Sequence, residues 1–408
     1  MTAGPGHPGH RRSVVGRVVS WVAGGLLVLV MPVQAGEGPS DAPADAWVLG
    51  IRLDHHDDAA PLRAHGDDDE VRRRLDPRPG RNRAWIDDEV RAERRWGAWT
   101  LGALARSRVD IRVDASTLDL IGHVERDTAA SPQHRAWNVD ARAVGFAGRG
   151  LALGWQAGSL DAEADAGSGW LEVQGLQLTR WIEQRWSGEV VQDPADGRYA
   201  VHLQSWRRDD RQVAPFLAPP DPHGQALLLA GGLRWRFAPD WQLTASVHDL
   251  GWLRWRGIVE EQTVVSTDTE QRDADGRVML APLMQGQVRA RRAWAAAPAG
   301  SQLRLEWRAS ARHHLSWTTR GGASGFGGPQ FGWLTRLSPA HAVEWTALGP
   351  RWPVRRWGLT WQVFTQAMGS ASGPGSTACS GWTIGLATDR LSADRRSLSG
   401  QLGWRACS

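Results

Sequence analysis

From residue 47 onward the chain alternates between apolar and polar positions. Trp47, Leu49, Ile51 and Leu53 alternate with Val48, Gly50, Arg52 and Asp54. Leu227, Leu229, Leu233, Trp235 and Phe237 share one parity, and Arg234 and Arg236 the other. After Ala238-Pro239-Asp240 the pattern resumes with Trp241, Leu243, Ala245 and Val247. Leu303, Leu305 and Trp307 alternate with Arg304, Glu306 and Arg308, and Trp382, Ile384 and Leu386 with Gly381, Thr383 and Gly385. A period of two places successive side chains on opposite faces of a strand. It predicts strands near 47–54, 84–92, 96–107, 109–120, 135–146, 150–157, 169–178, 198–206, 226–237, 241–249, 302–310, 314–320, 330–337, 342–348, 356–366, 379–388 and 397–406. Residues 117–126 fit a short helix or a strand equally well.

So many strands need their edges covered, and closure into a barrel removes edges altogether. The fold class expected is all-β: an antiparallel transmembrane β-barrel of roughly 12–16 strands over residues 47–408. A soluble sandwich would bury the apolar faces between two sheets instead, and periodicity alone does not separate the two. Three features favour the membrane barrel. Trp235, Trp241, Trp382 and Trp404 sit near strand ends, where interfacial girdles place aromatic rings. The second face of each strand is rich in Arg, Thr, Gln and Gly, as a wet lumen requires. Connections alternate in length, with short turns at 238–240 and 338–341 and longer ones at 321–329 and 349–355. Long polar loops are expected near 54–83 and 257–301. The same alternation puts the 389–396 turn outside and the C-terminus in the periplasm.

The first 35 residues change the picture of where the barrel goes. Arg11, Arg12 and Arg17 precede the apolar run Val18 to Val30, and Pro32 and Val33-Gln34-Ala35 follow it. This is the layout of a signal peptide cleaved after Ala35. Residues 36–46 read as a periplasmic linker. The 48 basic residues are all arginine, against 44 acidic ones. Apart from the three leader arginines the charges nearly cancel, so the high isoelectric point reflects arginine chemistry rather than a basic field. A nucleic-acid partner driven by charge is excluded on that balance. After residue 35 no apolar stretch approaches the length of a spanning helix.

Residues 246–255 read SVHDLGWLRW. The positions Ser246, Asp249, Leu250, Gly251 and Trp255 resemble the S-x-x-D-L-G-x-x-x-W stretch of poorly characterised FadL-like and TraF-like outer-membrane barrels. The resemblance implies a Gram-negative outer-membrane barrel with an N-terminal segment in or near the lumen, and carries no catalytic or ligand residue with it. Read locally, Asp249-Leu250-Gly251 is a bulge or turn ending a strand.

Chemistry is sparse. Nucleophile-elbow, zinc-protease and nucleotide-loop motifs are absent from the sequence, so no cofactor is expected. Asp54-His55-His56-Asp57-Asp58, followed by Asp67-Asp68-Asp69-Glu70, is the densest group of potential metal ligands. Its spacing fixes no coordination geometry, and a solvated loop explains it better. Arg234, Arg236, Arg304, Glu306 and Arg308 are candidate lumen-lining residues. Cys379 and Cys407, the two cysteines, are expected to form a disulfide in an oxidising compartment. Opposed residues of their hairpin then sum to 786, which pairs Trp382 with Trp404 and Ile384 with Leu402. The expected role is passive passage of a small solute, or an envelope scaffold, with outer-membrane lipid and the barrel-assembly machinery as partners. A soluble periplasmic or secreted binding protein and a barrel enzyme acting on envelope lipid or protein are the alternatives.

Overall fold

A computed structural model describes residues 45–66, 68–125, 135–157, 167–195, 198–212, 223–272, 278–280, 282–322, 329–338, 340–348, 356–365, 380–392 and 394–407. The expected leader, nearly all of the expected linker, and Cys379 lie outside them. The strands are β1 (Asp45–Asp57), β2 (Arg81–Trp96), β3 (Trp99–Asp114), β4 (Arg135–Ala157), β5 (Ser168–Gln192) and β6 (Tyr199–Asp209). They continue with β7 (His223–Ala238), β8 (Trp241–Ser266), the short pair β9 (Glu270–Arg272) and β10 (Val278–Leu280), β11 (Met284–Ala296) and β12 (Gly300–Arg308). The last six are β13 (His313–Gly322), β14 (Gln330–Ser338), β15 (His341–Leu348), β16 (Trp357–Thr365), β17 (Ser380–Thr388) and β18 (Ser397–Cys407).

Neighbouring strands pair antiparallel around a closed ring, and β1 pairs with both β2 and β18. The ring is a 14-strand barrel. The count follows because β6 and β7 share one lane between β5 and β8, and β11 and β12 share the next lane beside β8. In the last hairpin Trp382 opposes Trp404, Thr383 opposes Gly403 and Ile384 opposes Leu402, so every described pair sums to 786.

Both described ends of the chain lie at one end of the barrel, since Ala46 pairs with Cys407. Tight connections at 97–98 and 239–240 lie at this turn end. The opposite, loop end carries the described residues of the 58–80 and 389–396 connections, and the segment 115–125. There the backbone N–H of Leu62 donates to the Arg395 carbonyl at 2.9 Å, and Arg396 bonds both the Asp58 carbonyl and Asp76. The first and last loops are thus clasped together.

Toward the turn end, one parity of the ring strands points outward and is apolar and exposed. Trp47, Leu49, Trp99, Leu101, Leu151, Leu153, Leu233, Trp235, Leu359 and Ile384 all belong to it. Tryptophans gather on this face at the turn end: Trp96 opposes Trp99, which opposes Trp155, and Trp241 stacks on Trp307 at 5.8 Å. On β8 the apolar run from Trp241 to Trp252 covers about 37 Å along the strand, or about 28 Å of height at the usual barrel tilt.

Two expectations need correction. The connection at 257–301 is largely not a loop: β8 continues to Ser266 and pairs with β11. The polar, arginine-rich sequence there alternates weakly because both faces of this wall meet water or charge. Likewise 54–83 keeps its ends in strands, so the loop is 58–80 and holds a single-turn 3₁₀ segment at Leu62–Gly66 and a helix at Asp68–Arg73. The ambiguous 117–126 segment is a helix, Ala115–Glu125. The Asp114 carboxylate caps it by accepting from the Thr117 N–H at 2.8 Å.

Candidate functional site: the barrel interior

The inward face is fixed by contacts that span the ring. On β3 the even positions Leu104, Arg106, Arg108 and Asp110 are buried while the odd ones are more exposed. Arg106 Nη1 donates to Asp249 Oδ1 at 2.6 Å and its Nη2 to Oδ2 at 3.1 Å, although β3 and β8 are separated by three lanes. Arg108 Nη1 bonds the same carboxylate. The three side chains are 3%, 2% and 1% exposed, so this crossbar is shut off from water. Two guanidiniums on one buried carboxylate make a charge-assisted pairing that is costly to break from either side.

Asp249 reaches inward because β8 bulges there. Leu229 pairs with Leu250 and Gly231 with Val247, so Ala230 alone faces both His248 and Asp249. The extra residue turns two successive side chains to the lumen. Asp249 takes φ +59°, and among the described residues it is the only non-glycine at positive φ. Aspartate tolerates that left-handed conformation better than most residues do. A Cβ on Gly251 would lie 2.0 Å from the Leu227 carbonyl oxygen, so that position requires glycine. Trp255 is buried across Gly224, where a Cβ would fall 2.2 Å from the indole. The D-L-G-x-x-x-W stretch is therefore the element that aims a carboxylate into the lumen and packs the wall above it.

A network of ion pairs surrounds the crossbar. Arg52 meets Asp87 at 3.1 Å, and Arg91 meets Glu172 at 2.7 Å and Glu93 at 3.0 Å. Gln174 donates to Glu172 at 2.6 Å and accepts from Arg106 at 3.1 Å. His248 Nδ1 lies 3.3 Å from Asp249 and 3.4 Å from Arg108. Beside this network, Leu104, Phe146, Leu176, Leu178, Trp181, Leu228, Leu253 and Trp255 form one buried apolar cluster. The inner face of β3–β8 is thus packed and is not the wet lumen that composition suggested.

The other side of the ring is lined differently. Around one level Ser316, Gly332, Thr346, Gly358, Ala387 and Ser399 follow one another on β13 to β18. One step away Thr360, Gly385 and Gln401 do the same, and Gly50 opposes Gly403 where β1 closes the ring. Small side chains thus predominate on the inward face of this wall at these two levels.

The candidate lumen-lining residues fall on the inward parity. Arg234 faces Thr244, and Arg236 faces Gln242. Arg304 lies 2.9 Å from Glu306 and 3.4 Å from Glu344 of β15, two lanes beyond its neighbour β13. Arg308 opposes His314 at the turn end. The Asp54–Asp58 run does not gather as a metal centre. Among the described residues no group of three or more His, Cys, Asp or Glu could hold an ion. Instead Asp54 takes Arg356 at 2.8 Å, His55 takes Asp88 at 2.8 Å, and buried Asp58 takes His56 at 2.9 Å and Arg78 at 2.6 Å. Burial alone would raise the Asp58 carboxyl. The hydrogen bond and charge of His56, with Arg78 and the Arg83 N–H, hold it below the ordinary carboxylate value instead. Sequence reasoning missed Arg106 and Arg108, because nothing local marks two arginines whose shared partner lies about 140 positions away.

No family model matches the chain, and neither does any curated protein. Among solved structures it is similar to the Pseudomonas putida toluene transporter TodX, at 10% identity over 91% of each chain and a TM-score of 0.40. A Pseudomonas aeruginosa FadL homologue matches at 9% identity over 89% of each chain, with a TM-score of 0.40. The translocator domain of the autotransporter NalP from Neisseria meningitidis matches at 12% identity over 96% of this chain and 93% of that one, with a TM-score of 0.28.

Proposed function

We propose that the chain is a Gram-negative outer-membrane barrel that lets a small solute diffuse through its lumen along the β13–β18 wall. The observation that carries this reading is the two-sided ring. Its outward face carries an apolar belt edged with tryptophan, and its inward face pairs a packed, charged wall with one in which Gly, Ser, Thr and Ala predominate. A belt of that extent has no place on a water-exposed protein.

The remaining parts of the reading follow from it. Residues 1–35 act as a cleaved export signal, residues 36–46 lead into β1, and the assembly machinery inserts the barrel with its turn end in the periplasm. Cys379 and Cys407 form a disulfide, one step beyond the opposed pair Ser380 and Ala406. Arg234, Arg236, Arg304, Glu306 and Arg308 line the solute's path.

Fractionation with a heat-modifiability gel tests the location. The expected protein pellets with outer membrane and changes mobility on boiling. Recovery in the soluble periplasmic extract overturns the proposal. Planar-bilayer recording then tests passage: discrete conductance supports a channel, and a silent membrane leaves a structural barrel.

A further inference from the structure

On β4, β5, β7 and β8 the outward face changes character from one row to the next. The last apolar row runs Leu151, Gly175, Leu227 and Trp252, each directly opposed to its neighbour. The next outward row toward the loop end runs Arg149, Gln177, Gln225 and Arg254, opposed in the same way. Between the two rows Leu176, Ala226 and Leu253 are buried on the inner side, which fixes the outward sense of both. Arg256 follows Arg254 on the same face of β8. Trp294 of β11 opposes Arg254, whose guanidinium lies 5.0 Å over the indole ring.

The apolar belt of β8, about 28 Å high, ends at Trp252, so Arg254 is the first outward polar side chain beyond it. Among the described residues the guanidiniums of Arg149, Arg254 and Arg256 reach no carboxylate. The carboxylates further toward the loop end of this face already have partners, in the strand and in the turn that follows it. Asp209 and Asp210 take Arg180 at 3.0 Å and 2.6 Å, and Glu261 accepts from Gln212.

Arg149 and Arg254 stand three lanes apart, about 14 Å across the sheet. The amides of Gln177 and Gln225 fill the row between them. Such a spread suits a headgroup that carries two separated phosphates on a polar body better than it suits one small anion. Guanidinium forks pair with phosphate oxygens, and basic side chains beside the hydrocarbon layer draw anionic lipid. Tryptophan at the edge of the belt belongs at headgroup level.

We infer that this row docks the phosphorylated disaccharide headgroup of lipid A in the outer leaflet, with its acyl chains lying along Leu151, Leu227 and Trp252. The inference rests on the reading of the chain as an outer-membrane barrel with its loop end outward, and assigns that barrel a lipid partner on one wall.

The test mixes the folded barrel in detergent with bisphosphorylated lipid A, with the same lipid stripped of both phosphates, and with phosphatidylglycerol. Native mass spectrometry counts the complexes. The parent is expected to retain bisphosphorylated lipid A at least about tenfold more strongly than either other lipid. The variant Arg149→Gln, Arg254→Gln, Arg256→Gln, checked for folding by heat-modifiability, is expected to lose that preference. Arg94→Gln, on the outward face of β2 at the turn end beside Trp47, is expected to keep it.

Equal binding of the phosphorylated and stripped lipids by the parent overturns the site, whether or not the triple variant folds. Phosphatidylglycerol bound as tightly as lipid A overturns it too, as does a preference that the triple variant keeps or that Arg94→Gln abolishes. Recovery of the chain in the soluble periplasmic extract overturns the barrel reading and the site together. An outer-membrane chain without the phosphate preference overturns the site alone.

Discussion

The wall from β2 to β8 and the wall from β13 to β18 are built from the same alternating pattern, yet they do different work. In the first, β4, β5 and β8 run for 23, 25 and 26 residues, and their inner positions carry Arg, Glu, Asp, Phe, Leu and Trp. In the second, strands run for 8 to 11 residues and the inner positions are mostly small. The outer faces are alike, because the same apolar surroundings act on both. The inner faces are free to differ: one carries a buried charged and apolar cluster, the other mostly small side chains. Among the described residues, the ring strands themselves supply the buried core of the filled wall.

The largest expected effect separates the two walls at the crossbar. Asp249→Ala leaves Arg106 and Arg108 buried without their carboxylate, and should destabilise the barrel by about 3–5 kcal/mol. Urea unfolding of the reconstituted protein measures this. Asp249→Asn should lose nearly as much, since it keeps the shape and removes the charge. An unchanged midpoint in both would show that the crossbar does not hold the filled wall together.

Next in size is the outer face. Leu229→Arg puts a charge on the outward side of β7 and should cost about 2–4 kcal/mol near mid-membrane. Arg234→Leu, on the inward parity of the same strand, should change assembly little. Equal losses from the two would break the assignment of faces.

A smaller effect on stability, but a larger one on passage, is expected from the open wall. At Gly358 a Cβ would stand 2.6 Å from Thr346 Oγ1 and 2.7 Å from the Ala387 Cβ. Gly358→Leu should therefore cost about 1–3 kcal/mol by overpacking and lower single-channel conductance. Conductance equal to the parent's would place the conduit elsewhere.

The smallest effect concerns the loop clasp. Because the folded Asp58 carboxyl sits below its unfolded value near 3.8, its stabilisation is present above that value and is lost as pH falls through the lower, folded one. Hydrogen exchange across 58–76, corrected for intrinsic rate, should quicken below about pH 4 and not between pH 7 and 5. Acceleration in the higher range would point to a histidine instead.

The outward face was legible in the sequence almost strand by strand, because lipid-like surroundings impose one rule on every position. Leu227, Leu229, Leu233 and Trp235 declare it without any knowledge of partners. The last hairpin was legible too, since Trp382 with Trp404 and Ile384 with Leu402 agree only in one register. The inner face was not. Arg106, Arg108, Glu172 and Asp249 each look like ordinary polar positions of an alternating strand, and only ring closure brings them together. The S-x-x-D-L-G-x-x-x-W stretch marked Asp249, but its bulge and its partners depend on β7 and β3. The β8–β11 extension was read as loop because its outward face does not stay apolar beyond Trp252.

The division of the lumen is tested most directly by thiol accessibility in the reconstituted barrel, in a background with Cys379→Ser and Cys407→Ser. Single cysteines are placed at Ser316, Thr346 and Thr383 on the open wall, and at Leu104, Ala152 and Ala226 on the filled one. A membrane-impermeant, water-soluble thiol reagent should modify the first three within minutes and leave the second three intact until the barrel is denatured. Rapid modification of Leu104→Cys, Ala152→Cys and Ala226→Cys, or protection of all six, would contradict the account.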